Sequence, residues 1–228
     1  MLKKLDVENG IDMESYEDGS DIVFVLRNTI DIRINKKLYR QMSKRHKPEE
    51  IISRLAPKCL RHHVTQRELV YVTRESGLPL MGHTAFGLID RGTNVIQVRP
   101  ISGCNLNCLF CSVDEGKSTT RITDYIVEVD YLAEGFKELV DLKGAEKIEA
   151  HIDGQGEPFL YPYMAELIDK LAGIKGVEVI SAQTNGMPLT TNFLEEVEAK
   201  LSRINLSINS LDEQLARVLA GTYHYDLK

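Results

Sequence analysis

Three cysteines fall within eight positions of the stretch "ISGCNLNCLFCS", residues 101–112. A structural zinc takes four protein ligands in a tetrahedron, and a disulfide takes an even number of thiols. Cys104, Cys108 and Cys111 satisfy neither by themselves. A cubane iron–sulfur cluster is normally held by four thiolates, so three close cysteines on one short loop would leave one iron open to an exchangeable ligand. Phe110, just before the last cysteine, would add apolar shielding to such a group. A zinc site would need a fourth ligand, for which His151 or His83 is the candidate. A redox dithiol would use only Cys108 and Cys111, leaving Cys104 without a role. Cys59 stands apart and reads as a small buried hydrophobe.

The loop must be positioned by what surrounds it. Upstream, "DIVFVLR", "TIDIRIN" and "ELVYVT" read as β-strands, and "PEEIISRLA" has helical spacing with acidic residues at its start. "HTAFGLIDRGTNVIQVRP" reads as two strands joined by a turn near Arg91–Asn94. From residue 95 the pattern becomes alternating strand and helix. "VIQVRPI", "KIEAHID", "VEVISAQT" and "INLSINS" are strands; "DYLAEGFKELVDLK", "YMAELIDKLAGI", "TNFLEEVEAKL" and "DEQLARVLAG" are helices. Helices between successive strands predict βαβ units and a parallel sheet. The expected division is an N-terminal α+β extension over 1–94, rich in β-structure, and a run of βα units over 95–228.

These strands alternate, which is unusual for a parallel sheet covered on both faces. One parity carries Gln97 and Arg99; Glu149, His151 and Asp153; Ser181, Gln183 and Asn185; Asn205, Ser207 and Asn209. The other is mainly Ile, Val, Leu and Ala. Helices can cover only the apolar parity. The polar parity must face either bulk water, as in an antiparallel sheet with one solvated face, or a wet cavity inside a curved sheet. The helical connections argue for parallel pairing and the cavity, with ligands at the carboxyl ends of the strands. The cysteine loop, "DGQGEP", "QTNG" and "NSLD" all follow strands at that end. His151, Gln183, Arg99 and Glu149 are the candidate catalytic groups; a hydrogen-bonded network filling the interior is the competing reading.

The motif "CNLNCLFC" resembles the C-x3-C-x2-C signature of the radical S-adenosylmethionine superfamily, and the resemblance runs from about residue 95 onward. It implies a partial (β/α) barrel, a [4Fe–4S] cluster on Cys104, Cys108 and Cys111, and S-adenosylmethionine chelating the open iron. It further implies an enzyme that cleaves that cofactor reductively to a 5′-deoxyadenosyl radical, with an oxidoreductase's electron donor such as ferredoxin or flavodoxin. "GQGEP" resembles the family's glycine-glycine-glutamate element. The implied cofactor contacts are Phe110, Gly154, Gly156, Glu157 and Pro158, with Glu157 meeting the methionine ammonium. Thr184 and Asn185 of "TNG", and Ser207 and Asn209 after the fourth strand, complete the set, the last two toward the ribose. About four βα units are present and the family's fifth and sixth are missing, so the chain looks truncated. The stretch "GLIDRGTN" ahead of the cysteines resembles uncharacterised archaeal-type members, which implies no substrate. A non-catalytic iron–sulfur or zinc module on a half-barrel scaffold is the alternative.

The net charge of −6 gives no global field for nucleic acid. "KRHKPEE" and "CLRHHVTQR" are local basic stretches that read as solvated surface. A small metabolite or peptide is favoured over RNA as the unknown substrate. No apolar run is long enough to span a membrane, and the first 21 residues lack a signal-peptide core. A cytoplasmic protein is expected.

Overall fold

The computed structural model describes residues 13–113 and 122–225. Much of the N-terminal stretch lacking a signal-peptide core, and most of the segment after the cysteine loop, lie outside the described residues. The chain divides into two compact units: one runs to Tyr71 and takes in Ile122–Asp124, the other holds the rest from Val72.

The first unit is a sheet with two short helices. Strands β1 (Glu14–Asp18), β2 (Asp21–Leu26) and β3 (Ile30–Asn35) form an antiparallel meander, followed by α1 (Lys36–Met42) and α2 (Pro48–Leu55). Strands β4 (Leu60–His62) and β5 (Glu68–Val72) extend it, again antiparallel. Val23, Leu26, Ile30, Ile32, Ile34, Ile51 and Ile52 form the core, each excluded from water. At about 25 cal/mol per Å² of apolar surface, this burial is what holds so small a unit together. "CLRHHVTQR" is not simply solvated surface, because β4 turns Leu60 and His62 inward. His62 accepts from the Val64 amide through Nδ1 at 3.1 Å, while its Nε2 is buried with no hydrogen-bond partner. Desolvation holds this imidazole down at about 4, with the like charges of His63 and Arg67 adding to it and Asp124 and Asp31 opposing.

The second unit carries the expected βα alternation. A hairpin of β6 (Gly87–Asp90) and β7 (Val95–Arg99) leads to β8 (Thr123–Val127), whose first two residues belong to the first unit. Then come α3 (Val129–Lys143), β9 (Ile148–Ile152), α4 (Met164–Ala172), β10 (Val177–Thr184), α5 (Thr191–Val197), β11 (Arg203–Leu206) and α6 (Glu213–Ala220). The sheet order is β11-β10-β9-β7-β6, parallel from β11 to β7 with β6 antiparallel at the edge. The molecule is thus an α/β fold with two sheets and several helices. Among the described residues the second sheet stays open, with β11 and β6 as its edges.

The helices cover the apolar parity as expected. On α3, Leu132, Ala133, Phe136, Leu139 and Val140 are buried at helical spacing, and on α4 so are Met164, Leu167, Ile168 and Leu171. They meet Ile96, Val98, Ile148, Ala150, Ile152, Ile180 and Ala182 of the sheet, all buried. At β11 the cover thins: Leu206 and Ile208 are 50% and 51% exposed. Only Val197 of α5, and Ala216 and Ala220 of α6, are buried on the helices flanking this strand.

Candidate functional site

The carboxyl ends of β7, β9, β10 and β11 open onto one cavity of about 240 Å³. The cysteine loop supplies Cys104, Leu106, Cys108, Phe110, Cys111 and Val113 to its lining; β9 and the turn beyond it supply Asp153, Gly154, Gly156, Glu157 and Pro158. Gln183, Thr184 and Asn185 come from β10, Ser207 and Asn209 from the loop after β11, and Ala216, Ala220 and Tyr225 from α6 and beyond. Every residue for which the sequence suggested a cofactor contact, all three clustered cysteines and Gln183 therefore share one cavity. Arg99, Glu149 and His151 do not line it. "INLSINS" is shorter as a strand than expected, since β11 ends at Leu206, but Ser207 N–H still donates to Thr184 O at 2.9 Å.

Backbone geometry explains how two distant loops meet here. Gly103 and Gly156 form an isolated parallel bridge, Gly103 N–H donates to Gln155 O at 3.1 Å, and Glu157 N–H donates to Gly103 O at 2.9 Å. Gly156 sits at φ +139°, where a Cβ would lie 1.9 Å from Gly103 O. The missing side chain in "GQGEP" thus lets the protein's own backbone come close at this point.

Glu157 is buried and fully engaged. Its Oε1 accepts from Phe159 N–H at 3.0 Å and from Thr184 Oγ1 at 2.7 Å, and its Oε2 accepts from Asn185 N–H at 2.7 Å. Burial pushes its carboxyl above the ordinary value, with these three hydrogen bonds opposing. Here the carboxylate ties the end of β10 to the turn after β9.

The far wall was not read from the sequence. Leu106, Ala216, Ala220 and Tyr225 form a buried apolar cluster with Cys104 and Cys108 packed on it. The cysteine loop is fastened to the end of α6 by Asn107 N–H to Ala220 O and Leu109 N–H to Leu219 O, both 2.9 Å. Gly221 caps α6 in the left-handed region, φ +63°, and a Cβ there would lie 2.1 Å from Asn107 O. The small residues of "ARVLAG" at helical spacing were the available signal for this close packing.

This packing also shields the thiols from water. Burial, the largest cause, pushes Cys104 up to about 12; nearby Glu157, Cys108 and Cys111 add to it, and the Leu106 amide opposes. Burial raises Cys108 as well. Cys104 Sγ makes its polar contacts with Leu106 N–H at 3.4 Å, Asn105 and Asn185. Metal ligation requires several donor atoms that converge on one point. Among the described residues no group of three or more His, Cys, Asp and Glu side chains is arranged to hold a metal ion. The expectations that depended on such a group are corrected: the [4Fe–4S] cluster on Cys104, Cys108 and Cys111, S-adenosylmethionine at its open iron, the metal-dependent radical enzyme and oxidoreductase, and the alternative iron–sulfur or zinc module. The residues present here do not fit that group.

The polar parity is wired more tightly than a simple wet cavity requires. Gln97 is buried; its Nε2 donates to Asp153 Oδ2 at 2.5 Å and its Oε1 accepts from Arg91 at 2.7 Å. Arg99 pairs with Asp153 through Nε at 3.0 Å and also donates to the Thr84 carbonyl. Buried Ser181 bridges Glu149 and His151.

Comparison with known proteins agrees with the fold. The family model described as the radical SAM superfamily matches residues 98–227, and the chain belongs to that superfamily. It is 50% identical over 173 residues to a Methanocaldococcus jannaschii protein named "Uncharacterized protein MJ0103", covering 74% of this chain and 40% of that one. It is 29% identical over 143 residues to the GTP 3′,8-cyclase of Chlorobaculum tepidum, covering 63% of this chain and 40% of the relative. The GTP 3′,8-cyclase of Thermodesulfovibrio yellowstonii is 32% identical over 130 residues, 57% of this chain and 39% of the relative. The chain thus spans about two fifths of the length of these curated relatives. Among the described residues no helix is long and apolar enough to cross a membrane.

Proposed function

We propose that this chain is a ligand-binding arc of a (β/α) barrel whose cavity receives a small molecule of nucleoside class. The observation that supports it is the mixed lining. Asp153, Gln183, Asn185, Ser207 and Asn209 bring hydrogen-bonding groups to the cavity, and the apolar side chains of Leu106, Val113, Ala216 and Ala220 line it as well. A flat base against the apolar groups and hydroxyls against the polar ones would use both. Membership of a superfamily fixes the fold and not the occupant. The names of two relatives, GTP 3′,8-cyclases, favour a guanine compound.

No Lys or Arg is among the described lining residues, so the cavity would hold a nucleoside better than its charged phosphates. Guanosine is accordingly expected to bind at least as well as GTP. The net charge of −6 disfavours RNA as the ligand. Four free cysteines, all half-buried, suit the reducing cytoplasm as the working compartment. Isothermal titration of the full chain with guanosine, GTP and uridine tests the reading. Saturable binding of guanosine, weakened roughly two- to tenfold by Asn209→Ala, supports it. An absence of binding by all three probes at millimolar concentration would overturn it.

A further inference from the structure

The stretch "KKLYRQMSKRHK", residues 36–47, holds six Lys and Arg side chains and no Asp or Glu, in a chain whose net charge is −6. It forms α1 and the turn that follows, in the first unit. The core makes little use of it, since α1 buries no side chain. Tyr39 and Met42 are half-buried, and the Tyr39 ring lies 5.6 Å from that of Phe24 on β2, so this side of the helix faces the sheet. Lys37, Arg40, Lys44, Arg45 and Lys47 are exposed. Lys37 and Arg40, three residues apart, share a helix face. Arg45 N–H and His46 N–H both donate to Met42 O, at 2.9 and 3.0 Å, which folds the next cations back onto the end of the same helix.

Little of this charge is neutralised within the protein. Lys36 donates to Glu17 Oε2 at 2.6 Å, and Arg40 adds to the pull on that carboxylate. Glu50, on α2, is engaged by His46 Nδ1 at 3.0 Å. Among the described residues Lys37, Lys44, Arg45 and Lys47 have no ion pair and no side-chain hydrogen bond. The acidic balance of the whole chain weighs little here, because charges more than about 8 Å away are largely screened at physiological ionic strength.

The chemistry of the patch selects among polyanions. A membrane surface would call for an apolar helix face beside the cations. Tyr39 and Met42 are turned to the sheet, and Leu38, 40% exposed, is all that the stretch offers outward. An acidic protein partner would need a well-packed anchor at the centre of the contact, and the patch has none. A phosphodiester backbone asks only for spaced cations and hydrogen-bond donors, which the Lys and Arg side chains and Gln41 supply.

We propose that α1 and the turn after it form a docking surface for nucleic acid, which grips the phosphodiester backbone without reading its bases. The surface belongs to the first unit and is independent of the function proposed for the cavity.

The test is fluorescence anisotropy of labelled oligouridylate, oligothymidylate and duplex DNA titrated with the full chain, at salt from about 50 to 200 mM. A single strand is expected to bind with log K falling against log salt at a slope of about −2 to −3.5, as three to five phosphate contacts require. Such a slope with either sugar supports the proposal, and the comparison tells RNA from DNA as the source of the phosphates. Lys37→Glu/Lys44→Glu/Arg45→Glu should weaken binding at least about tenfold and flatten the slope. These side chains are exposed and unpaired among the described residues, so circular dichroism should show an unchanged fold. Lys137→Glu/Lys175→Glu/Lys200→Glu changes the net charge equally at exposed positions of the second unit, and should leave binding within about twofold. No binding at about 50 mM salt, a slope near zero, or equal losses in the two variants would overturn the proposal. Binding to phosphatidylserine vesicles or polyglutamate in place of the oligonucleotides would overturn it as well.

Discussion

Replacing Gly156 by alanine should cost this protein a large part of its stability, and the size follows from the bridge to Gly103. The added Cβ would lie 1.9 Å from Gly103 O, 2.4 Å from its carbonyl carbon and 2.8 Å from its nitrogen. These are backbone atoms, so no side chain can swing aside. The φ of +139° is itself strained for a non-glycine residue, at about 1–3 kcal/mol. Relief of the clash requires separating the two loops, which breaks the Glu157 N–H to Gly103 O and Gly103 N–H to Gln155 O bonds at roughly 0.5–1.5 kcal/mol each. The total is about 2–6 kcal/mol, against a typical domain stability of about 5–15 kcal/mol. Urea unfolding followed by circular dichroism measures it. Gly92→Ala is the control, because that glycine sits at φ +69° with open space around its missing Cβ. It should lose only the backbone term, about 1–2 kcal/mol. Equal losses in the two variants would refute the argument that close approach, and not φ alone, requires glycine at 156.

Glu157→Ala strips a partner from three donors, two of them backbone N–H groups, and should cost roughly 2–5 kcal/mol by urea unfolding; a loss below about 1 kcal/mol would mean the carboxylate does not tie these loops together. With its thiol pushed from 9.0 to about 12, Cys104 should react with iodoacetamide at pH 8 about a thousand times more slowly than an ordinary cysteine. Peptide mapping reads the rate, and labelling of Cys104 as fast as a free thiol would contradict the burial. His62 is held at about 4 against an ordinary 6.5. Its stabilising contribution is therefore present above pH 6.5 and lost as the pH falls toward 4. At about 1.4 kcal/mol for each pH unit, up to about 3 kcal/mol is at stake. His62→Gln should flatten that part of the stability profile, and an unchanged slope would show that another group carries it.

What was legible in the sequence depended on the range over which the information acts. "VEVISAQT" reads as β10 from first residue to last because its alternation meets a helix on one face only. The spacing of Leu132, Phe136 and Leu139 announces α3 for the same reason. By contrast α1 buries no side chain and so shows no apolar stripe, and β4 has three residues, too few for a period to appear. "TDYIV" is hard to read as a strand because β8 stands outside the βα alternation of the neighbouring elements. The strand-end residues converge on one cavity because parallel strands all deliver their loops to the same end. What those residues do there was less legible. Glu157 read as a carboxylate offered outward, whereas its donors arrive from Thr184 and Asn185, far along the chain. The cysteine spacing suggested a metal because spacing carries no information about burial. The α6 wall that packs against Cys104 and Cys108 lies more than a hundred residues downstream.

The most direct test of the central claim is hydrogen–deuterium exchange of the full chain with and without saturating guanosine. The account predicts slower exchange concentrated in the turn at 184–186, the loop at 207–209 and the last turn of α6, with the first unit unchanged. Guanosine that leaves these segments as exchangeable as before, or protects only residues of the first unit, would contradict it.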